Sequence, residues 1–215
     1  MVIPTIFGIN LYKYMSQLVL IRHGESQWNK ENRFTGWIDI PLSPKGEEEA
    51  REAGQKIKGF KFDKVFLSVL QRAIKTYEIA AEVAGLDHLP VEYDKALNER
   101  MYGDLQGLNK DEMREKFGAE QVQLWRRSYD VRPPNGESLK DTAARVMPYY
   151  HEKIEPELKK GKNILVVAHG NSLRAMIKFI ENISDEEIPK LEVPTGVPIL
   201  YEFDKNMKMV NKREL

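Results

Sequence analysis

Cysteine is absent from all 215 residues. Disulfides, thiolate metal sites and a cysteine nucleophile are thereby excluded; the absence fits a reducing compartment, and a cytoplasmic location is expected. No apolar run approaches the roughly 18 residues that a membrane helix needs. Charge of one sign is not in excess either, since Lys plus Arg and Asp plus Glu both number 33. No global field therefore recruits nucleic acid or an anionic membrane, and any anion specificity has to be local. HExxH, HxH and cysteine pairs are missing, which sets a metal site aside. GxSxG, GxxxxGK and GxGxxG are missing too, which excludes the serine-hydrolase elbow and the familiar nucleotide loops. Solenoid repeats, low-complexity tracts and internal linkers are not found, and the length fits one domain.

What is there alternates strands with helices. Residues 18–21 read as a buried strand, followed by a polar loop to Pro41. Ser43 and Pro44 mark the N-terminus of a helix running to about Lys58, with Ala50, Ala53 and Ile57 as its apolar stripe. Residues 64–68 (KVFLS) predict a short strand and residues 71–84 a helix closed by Gly85. Between Pro90 and Pro134 the pattern is irregular, with helices expected over 110–117 and 120–127. Ser138 and Asp141 predict a capped helix from Leu139. Residues 162–168 (KNILVVA) are the strongest strand, residues 173–180 a helix, and residues 199–203 a last strand before a short charged tail. The expected fold is a three-layer α/β/α sandwich on a mostly parallel sheet. Residues 1–14 lack the basic start and cleavage site of a signal peptide and contain helix breakers; they are expected to lie outside a single catalytic domain, residues 15–215, with Met15 a candidate natural start.

One echo runs through the chain: VLIRHGES and LVVAHGNS both read apolar strand, His, Gly, polar, Ser. Ligands of open parallel sheets bind beyond the carboxyl ends of strands, so His23 and His169 are expected to face one pocket. His88 and His151 read as surface residues. Arg22 adjoins His23, and Arg72 falls in the first turn of a helix, where a cation opposes the helix dipole unless an anion shares the spot. A phosphoryl group reconciles these features: guanidinium forks grip its oxygens and hold a nearby imidazole neutral and nucleophilic. Phosphoryl transfer through a histidine needs positioning and charge stabilisation more than a metal.

The segments RHGESQWN, FTGW, ALNERMYGDLQGLNK, WRRSYD, GESL, AHGNSLRA and PTGVPILYEF resemble the 2,3-bisphosphoglycerate-dependent phosphoglycerate mutases of the histidine phosphatase superfamily, over nearly all of residues 17–203. The resemblance implies that His23 is the phosphorylated nucleophile, and that Arg22, Arg72 and His169 bind the transferring group. It implies that Glu99 is the general acid and base, its carboxyl raised by adjacent phosphates and restrained by Arg100. Asn29, Thr35, Gly36, Arg100, Tyr102, Lys110, Arg126, Arg127, Gly170 and Asn171 would hold the phosphoglycerate. It further implies interconversion of 3- and 2-phosphoglycerate in glycolysis and gluconeogenesis, 2,3-bisphosphoglycerate as primer, no metal, and small phosphoglycerates rather than nucleic acid or membrane as partners.

The residues support a second anion site independently. Lys110 and the Arg126-Arg127 pair supply charge beyond that at His23. Successive helical residues diverge by about 100 degrees, so both arginines can meet one ligand only near a helix end; Pro133 and Pro134 soon after fit such an end. The chain passes directly from Pro134 to GESL, where longer family members carry an insertion, and its tail after Phe203 is short. A covering tail would exclude water and favour transfer over hydrolysis. A phosphatase on the same fold is therefore the alternative reading, with a noncatalytic phospho-ligand binder behind it; monomer and homodimer are both open.

Overall fold

A computed structural model describes residues 16–215, so the extension expected over residues 1–14 lies outside the described part. Among the described residues the sheet has six strands in the order β3-β2-β4-β1-β5-β6. These are β1 (Ser16–Arg22), β2 (Lys64–Leu67), β3 (Val91–Tyr93), β4 (Ile164–Ala168), β5 (Pro198–Phe203) and β6 (Met209–Glu214). β1, β2, β3 and β4 run parallel, whereas β5 and β6 are antiparallel to their neighbours. β4 is buried along its whole length because it is sandwiched on both faces and both edges, which is why it reads as an unbroken apolar run.

Alternation along the strands divides the core between the two faces. Leu18, Leu20, Phe66 and Val166 join Leu139 and Val146 of α6 (Leu139–Tyr149) and Leu173 and Met176 of α8 (Gly170–Ile180). Val19, Ile21, Val65, Leu165 and Val167 point the other way, onto Ala53 and Ile57 of α2 (Pro44–Ile57) and Ala73 and Tyr77 of α3 (Gln71–Ala84). The chain thus leaves β1 for one face and leaves the adjacent β4 for the other. That divergence opens the crevice in which an α/β sheet binds ligands.

α2 starts on a Ser43 cap with Pro44 at its first turn, and α3 ends on Gly85 in the left-handed conformation, φ 73°, as the spacing predicts. α4 (Lys110–Phe117) and α5 (Ala119–Arg127) follow, and their Met113, Val122 and Trp125 form a small separate core with Phe34 and Leu105.

Two bounds expected from the sequence need correction, and two strands were not expected. Within the short charged tail, residues 209–214 form β6, an edge strand whose register is set by pairing with β5. β3 has only three residues, too few to show a period. The strand expected over 162–168 begins at Ile164, because the Asn163 side chain is engaged with the Gln17 N–H and the Lys61 carbonyl. The helix expected over 173–180 begins three residues earlier, at Gly170. A short helix, α1 (Gln27–Lys30), capped by Ser26, also lies in the loop after β1. Pro148, which cannot donate to the preceding turn, sits just before a π-turn over Tyr150–Ile154 that leads into α7 (Glu155–Lys159).

Candidate active site

His23 and His169 stand one residue beyond the ends of the adjacent strands β1 and β4, where the His23 N–H still donates to the Ala168 carbonyl at 3.0 Å. Their ring centroids are 4.9 Å apart. The turn after His23 is held by a close backbone approach: a Cβ on Gly24 would meet the Gly46 carbonyl at 2.1 Å, and one on Gly46 would meet the Glu25 carbonyl at 2.0 Å. Glycine is required at both, and α2 is thereby seated directly against the nucleophile turn.

Both imidazoles are buried. His23 Nδ1 lies 2.7 Å from the Gly24 carbonyl. A carbonyl only accepts, so Nδ1 carries the hydrogen and Nε2 keeps its lone pair. Burial, then the Arg72 and Arg22 guanidiniums, hold His23 well below the ordinary imidazole value. His169 is depressed likewise, by burial first and then by Arg72, His23 and Arg22. Its Nε2 is 2.6 Å from Ser68 Oγ at the end of β2, and Ser68 Oγ already accepts from the Leu70 N–H at 3.0 Å. The Ser68 hydroxyl still has its own hydrogen to place, and His169 Nε2 is the acceptor within reach; that bond puts the His169 hydrogen on the buried Nδ1, which has no acceptor among the described residues.

Guanidiniums surround the pair. Arg22 Nη1 donates to the Val193 carbonyl at 2.8 Å. Arg72, at the second position of α3, donates to the Gly36 and Ile38 carbonyls at 2.8 and 3.0 Å. Burial pulls Arg72 down to about 10 against the opposing pull of Glu99 and Asp39. Nε of both arginines is buried without an acceptor, as is Thr35 Oγ1. Buried donors that lack acceptors cost free energy unless a ligand satisfies them.

Glu99 faces this cluster from the loop before Gly103. Its Oε1 accepts from the Arg100 N–H at 2.7 Å, the Asn171 N–H at 3.1 Å and Asn171 Nδ2 at 2.9 Å. Burial pushes the carboxyl up, but the Arg100 N–H, the Arg22 charge, the Asn171 amide and Arg72 outweigh it, and Glu99 sits below the usual carboxylate value. The restraint expected of Arg100 comes from its peptide N–H; its guanidinium turns away, to Tyr102 Oη at 3.0 Å and the Arg126 carbonyl at 2.8 Å.

One cleft brings these groups together with Asn29, Thr35, Gly36, Tyr102, Lys110, Arg126, Arg127, Gly170 and Asn171. Of the residues singled out in the sequence, His169 and Arg100 lie behind the lining rather than in it. Arg126 and Arg127 are in the last turn of α5, the helix end that lets both reach one cavity. Lys110, at the first turn of α4, is pulled down to about 8 by burial and by its cationic neighbours Arg126, Arg22 and Arg114. The lining also holds residues that the sequence reading did not single out: Arg33, Phe34, Arg174, Glu192 and Val193. Glu192 ion-pairs with Arg127 at the rim. Ser68 is a further site residue that the strand pattern over residues 64–68 does not mark, although a hydroxyl at a strand's carboxyl end is a local signal.

A neutral imidazole with a free Nε2, an opposed imidazole N–H, convergent guanidiniums and a buried carboxylate can carry out one kind of chemistry well, phosphoryl transfer through histidine. The family model described as "Histidine phosphatase superfamily (branch 1)" matches residues 18–213. The chain is 57% identical over 197 residues to a phosphoglycerate mutase of Schizosaccharomyces pombe, covering 91% of this chain and 93% of the relative. It is 54% identical over 200 residues to a 2,3-bisphosphoglycerate-dependent phosphoglycerate mutase of Mesorhizobium japonicum, covering 92% and 97%. Among solved structures it is similar to Bacillus stearothermophilus YhfR, with a TM-score of 0.79, 26% identity and coverage of 90% and 94%. It is also similar to a mycobacterial glucosyl-3-phosphoglycerate phosphatase, with a TM-score of 0.76, 29% identity and coverage of 86% and 92%. The chain belongs to the histidine phosphatase superfamily and, within it, to the 2,3-bisphosphoglycerate-dependent phosphoglycerate mutases.

Proposed function

We propose that the chain interconverts 3-phosphoglycerate and 2-phosphoglycerate by carrying the phosphoryl group on Nε2 of His23. The observation that carries this reading is the pairing of that free lone pair with an excess of buried donors. Nε of Arg22 and Arg72, Thr35 Oγ1 and His169 Nδ1 are without acceptors. Lys110, Arg126 and Arg127 line the same cleft. These residues fit 2,3-bisphosphoglycerate, whose chemical contribution is the phosphoryl group that primes His23.

With His23 phosphorylated, Glu99 accepts the proton of the C2 hydroxyl of 3-phosphoglycerate as that oxygen bonds to phosphorus and the P–Nε2 bond breaks. Arg22, Arg72 and the His169 N–H hold the three equatorial oxygens during the in-line transfer. Lys110, Arg126 and Arg127 hold the second phosphate. Once the substrate has turned end for end, His23 Nε2 takes the phosphoryl group from the C3 oxygen, and Glu99 returns its proton to that oxygen. An arriving phosphate dianion lifts Glu99 from its low ligand-free value, so that the carboxyl can exchange a proton near neutral pH.

An enolase-coupled assay with and without added 2,3-bisphosphoglycerate tests the reading. Isomerisation that depends on the bisphosphate is expected, with acid-labile labelling of the wild type and none of His23→Ala. Phosphate release without isomerisation would turn the assignment to a phosphatase; residues 209–214 pair with β5 as β6, and none of residues 194–215 lines the cleft to exclude water from it. Glu99→Gln is expected to lower kcat far more than it changes KM. No helix among the described residues is long and apolar enough to cross a membrane; a single catalytic domain in the cytoplasm is the setting that suits the reaction. Size-exclusion chromatography decides between monomer and homodimer.

A further inference from the structure

Arg174 is buried to 3% exposure and lines the cleft, yet the reaction scheme above gives it no part. No carboxylate bonds to it. Nη2 donates to the carbonyls of Ile188 and Arg127 at 2.6 and 3.2 Å, and Nη1 donates to Asn171 Oδ1 at 3.0 Å. A guanidinium buried without a carboxylate is a poor stabilising device, because desolvation of the charge is repaid only by neutral acceptors. Its position calls for another explanation, and the third of those acceptors supplies one.

We propose that Arg174 is a positioning residue for proton transfer, fixing the Asn171 side-chain amide so that its NH2 end faces Glu99 Oε1 and the exchangeable proton is confined to Oε2. A guanidinium can only donate, so the Asn171 atom it touches must be the oxygen and the opposite end must be the NH2. Glu99 Oε1 then receives three N–H groups, from Arg100 N, Asn171 N and Asn171 Nδ2. An oxygen so surrounded has no room for a proton of its own. Oε2 has no such partner; it lies 3.6 Å from where a Cβ on Gly170 would be, a place 3.5 Å from the Arg22 guanidinium, on the side where the phosphoryl group is handled. Without Arg174 the amide is free to rotate about its last torsion. Rotated, it offers Oδ1 to a protonated Oε1, which stabilises the neutral acid with its proton on the wrong oxygen.

The groups facing Glu99 are Arg22 from β1, Arg72 from α3, Arg100 and Tyr102 from its own loop, Arg145 from α6 at its main-chain carbonyl, and Asn171 and Arg174 from α8, with His23 and Arg126 across the cleft. Of these, only Asn171 is an amide with two distinguishable ends, which is why its orientation can be tested separately from charge. The inference rests on the assignment of Glu99 as acid and base made above.

The experiment is the pH dependence of kcat/KM for wild type, Arg174→Met, Arg174→Lys, Asn171→Ala and the double variant, with Glu99→Gln measured alongside. Arg174→Met is expected to move the acid limb upward by about one pH unit and to lower kcat about tenfold, as for loss of one strong hydrogen bond to a carboxylate, with KM within about twofold. Arg174→Lys, which can still donate to Asn171 Oδ1, is expected to recover most of the limb. In the Asn171→Ala background, Arg174→Met is expected to shift the limb much less, by the loss of the Arg174 charge alone. An unmoved limb in Arg174→Met overturns the inference, as does an equal shift with and without the Asn171 amide, or a rise in KM alone, which would make Arg174 a direct substrate ligand. If Arg174→Met does not fold, Arg174→Gln, which keeps a polar group against the Ile188 carbonyl, takes its place with the same expected shift. Failure of the underlying reading looks different: Glu99→Gln would keep the wild-type acid limb.

Discussion

Lys110 is the cation of the cleft whose charge is in play near neutral pH. Held at about 8 by burial and by Arg126, Arg22 and Arg114, its ammonium is present below that pH and lost above it. kcat/KM, which reports the free enzyme, is expected to fall as pH rises through about 8, and Lys110→Arg is expected to carry that limb beyond the measurable range. A limb that stays in place in Lys110→Arg belongs to another group. Arg72 makes a second case. Its two terminal nitrogens span the Gly36 and Ile38 carbonyls while Nε remains for a ligand. One ammonium cannot do all three, so Arg72→Lys is expected to slow phosphorylation of His23 by about a hundredfold, measured by stopped flow. His23, His169 and both arginines were visible in the sequence because strand ends and a misplaced cation leave local marks. Arg174 was not visible for a geometric reason. Its bond to Asn171 is an i,i+3 contact within one helix, and the sequence pattern starts that helix at Leu173, after Asn171, whereas the helix begins at Gly170.

At the level of elements, the loop that carries Glu99 has little regular structure of its own, and Arg145 is the side chain that bonds to most of its carbonyls. Arg145 of α6 donates to the carbonyls of Ala96, Asn98 and Glu99 at 2.8, 3.0 and 2.8 Å, and pairs with Glu137, which in turn accepts from the Met101 N–H at 2.9 Å. Its guanidinium stacks 5.4 Å from the Trp37 ring, whose indole N–H also reaches the Glu99 carbonyl. Arg145→Met strips the loop of these donors and leaves the half-buried Glu137 carboxylate without its partner. A loss of about 3 kcal/mol by denaturant unfolding is expected, with a fall in kcat because Glu99 loses its fixed place. Unchanged kcat in a folded variant would show that the loop is held by other means. Helix ends with caps, the start of α2 at Ser43, the end of α3 at Gly85 and the start of α6 at Ser138, were legible almost to the residue, since their signals are local. β3 and β6 were not, because a three-residue strand has no period and a polar edge strand is specified by its neighbour.

Across the whole molecule, two histidines are kept neutral in the folded chain by burial and by the arginines that the reaction needs. The unfolded chain takes up protons on both as pH falls below the ordinary value of 6.5, and the folded chain does not. Because the folded-state values are depressed, the stability in question is fully present above 6.5 and drains away as pH falls toward the folded values. The slope is up to about 1.4 kcal/mol per pH unit for each imidazole, or about 2.7 for the pair. Carboxylates depressed in the folded state, among them Glu99, Glu92 and Glu202, add their own loss only below the ordinary value of 4.5. Unliganded protein is therefore expected to lose stability on acidification from about pH 6.5, where the histidine contribution begins to drain, with the carboxylate contribution added below 4.5. Replacing one imidazole, as in His23→Gln, is expected to halve the histidine contribution to the slope while leaving the carboxylate contribution intact. Denaturant unfolding at half-unit pH intervals measures both, and a flat response between pH 6.5 and 5 would mean that the two rings are charged in the folded protein, a state in which His23 has no lone pair with which to attack.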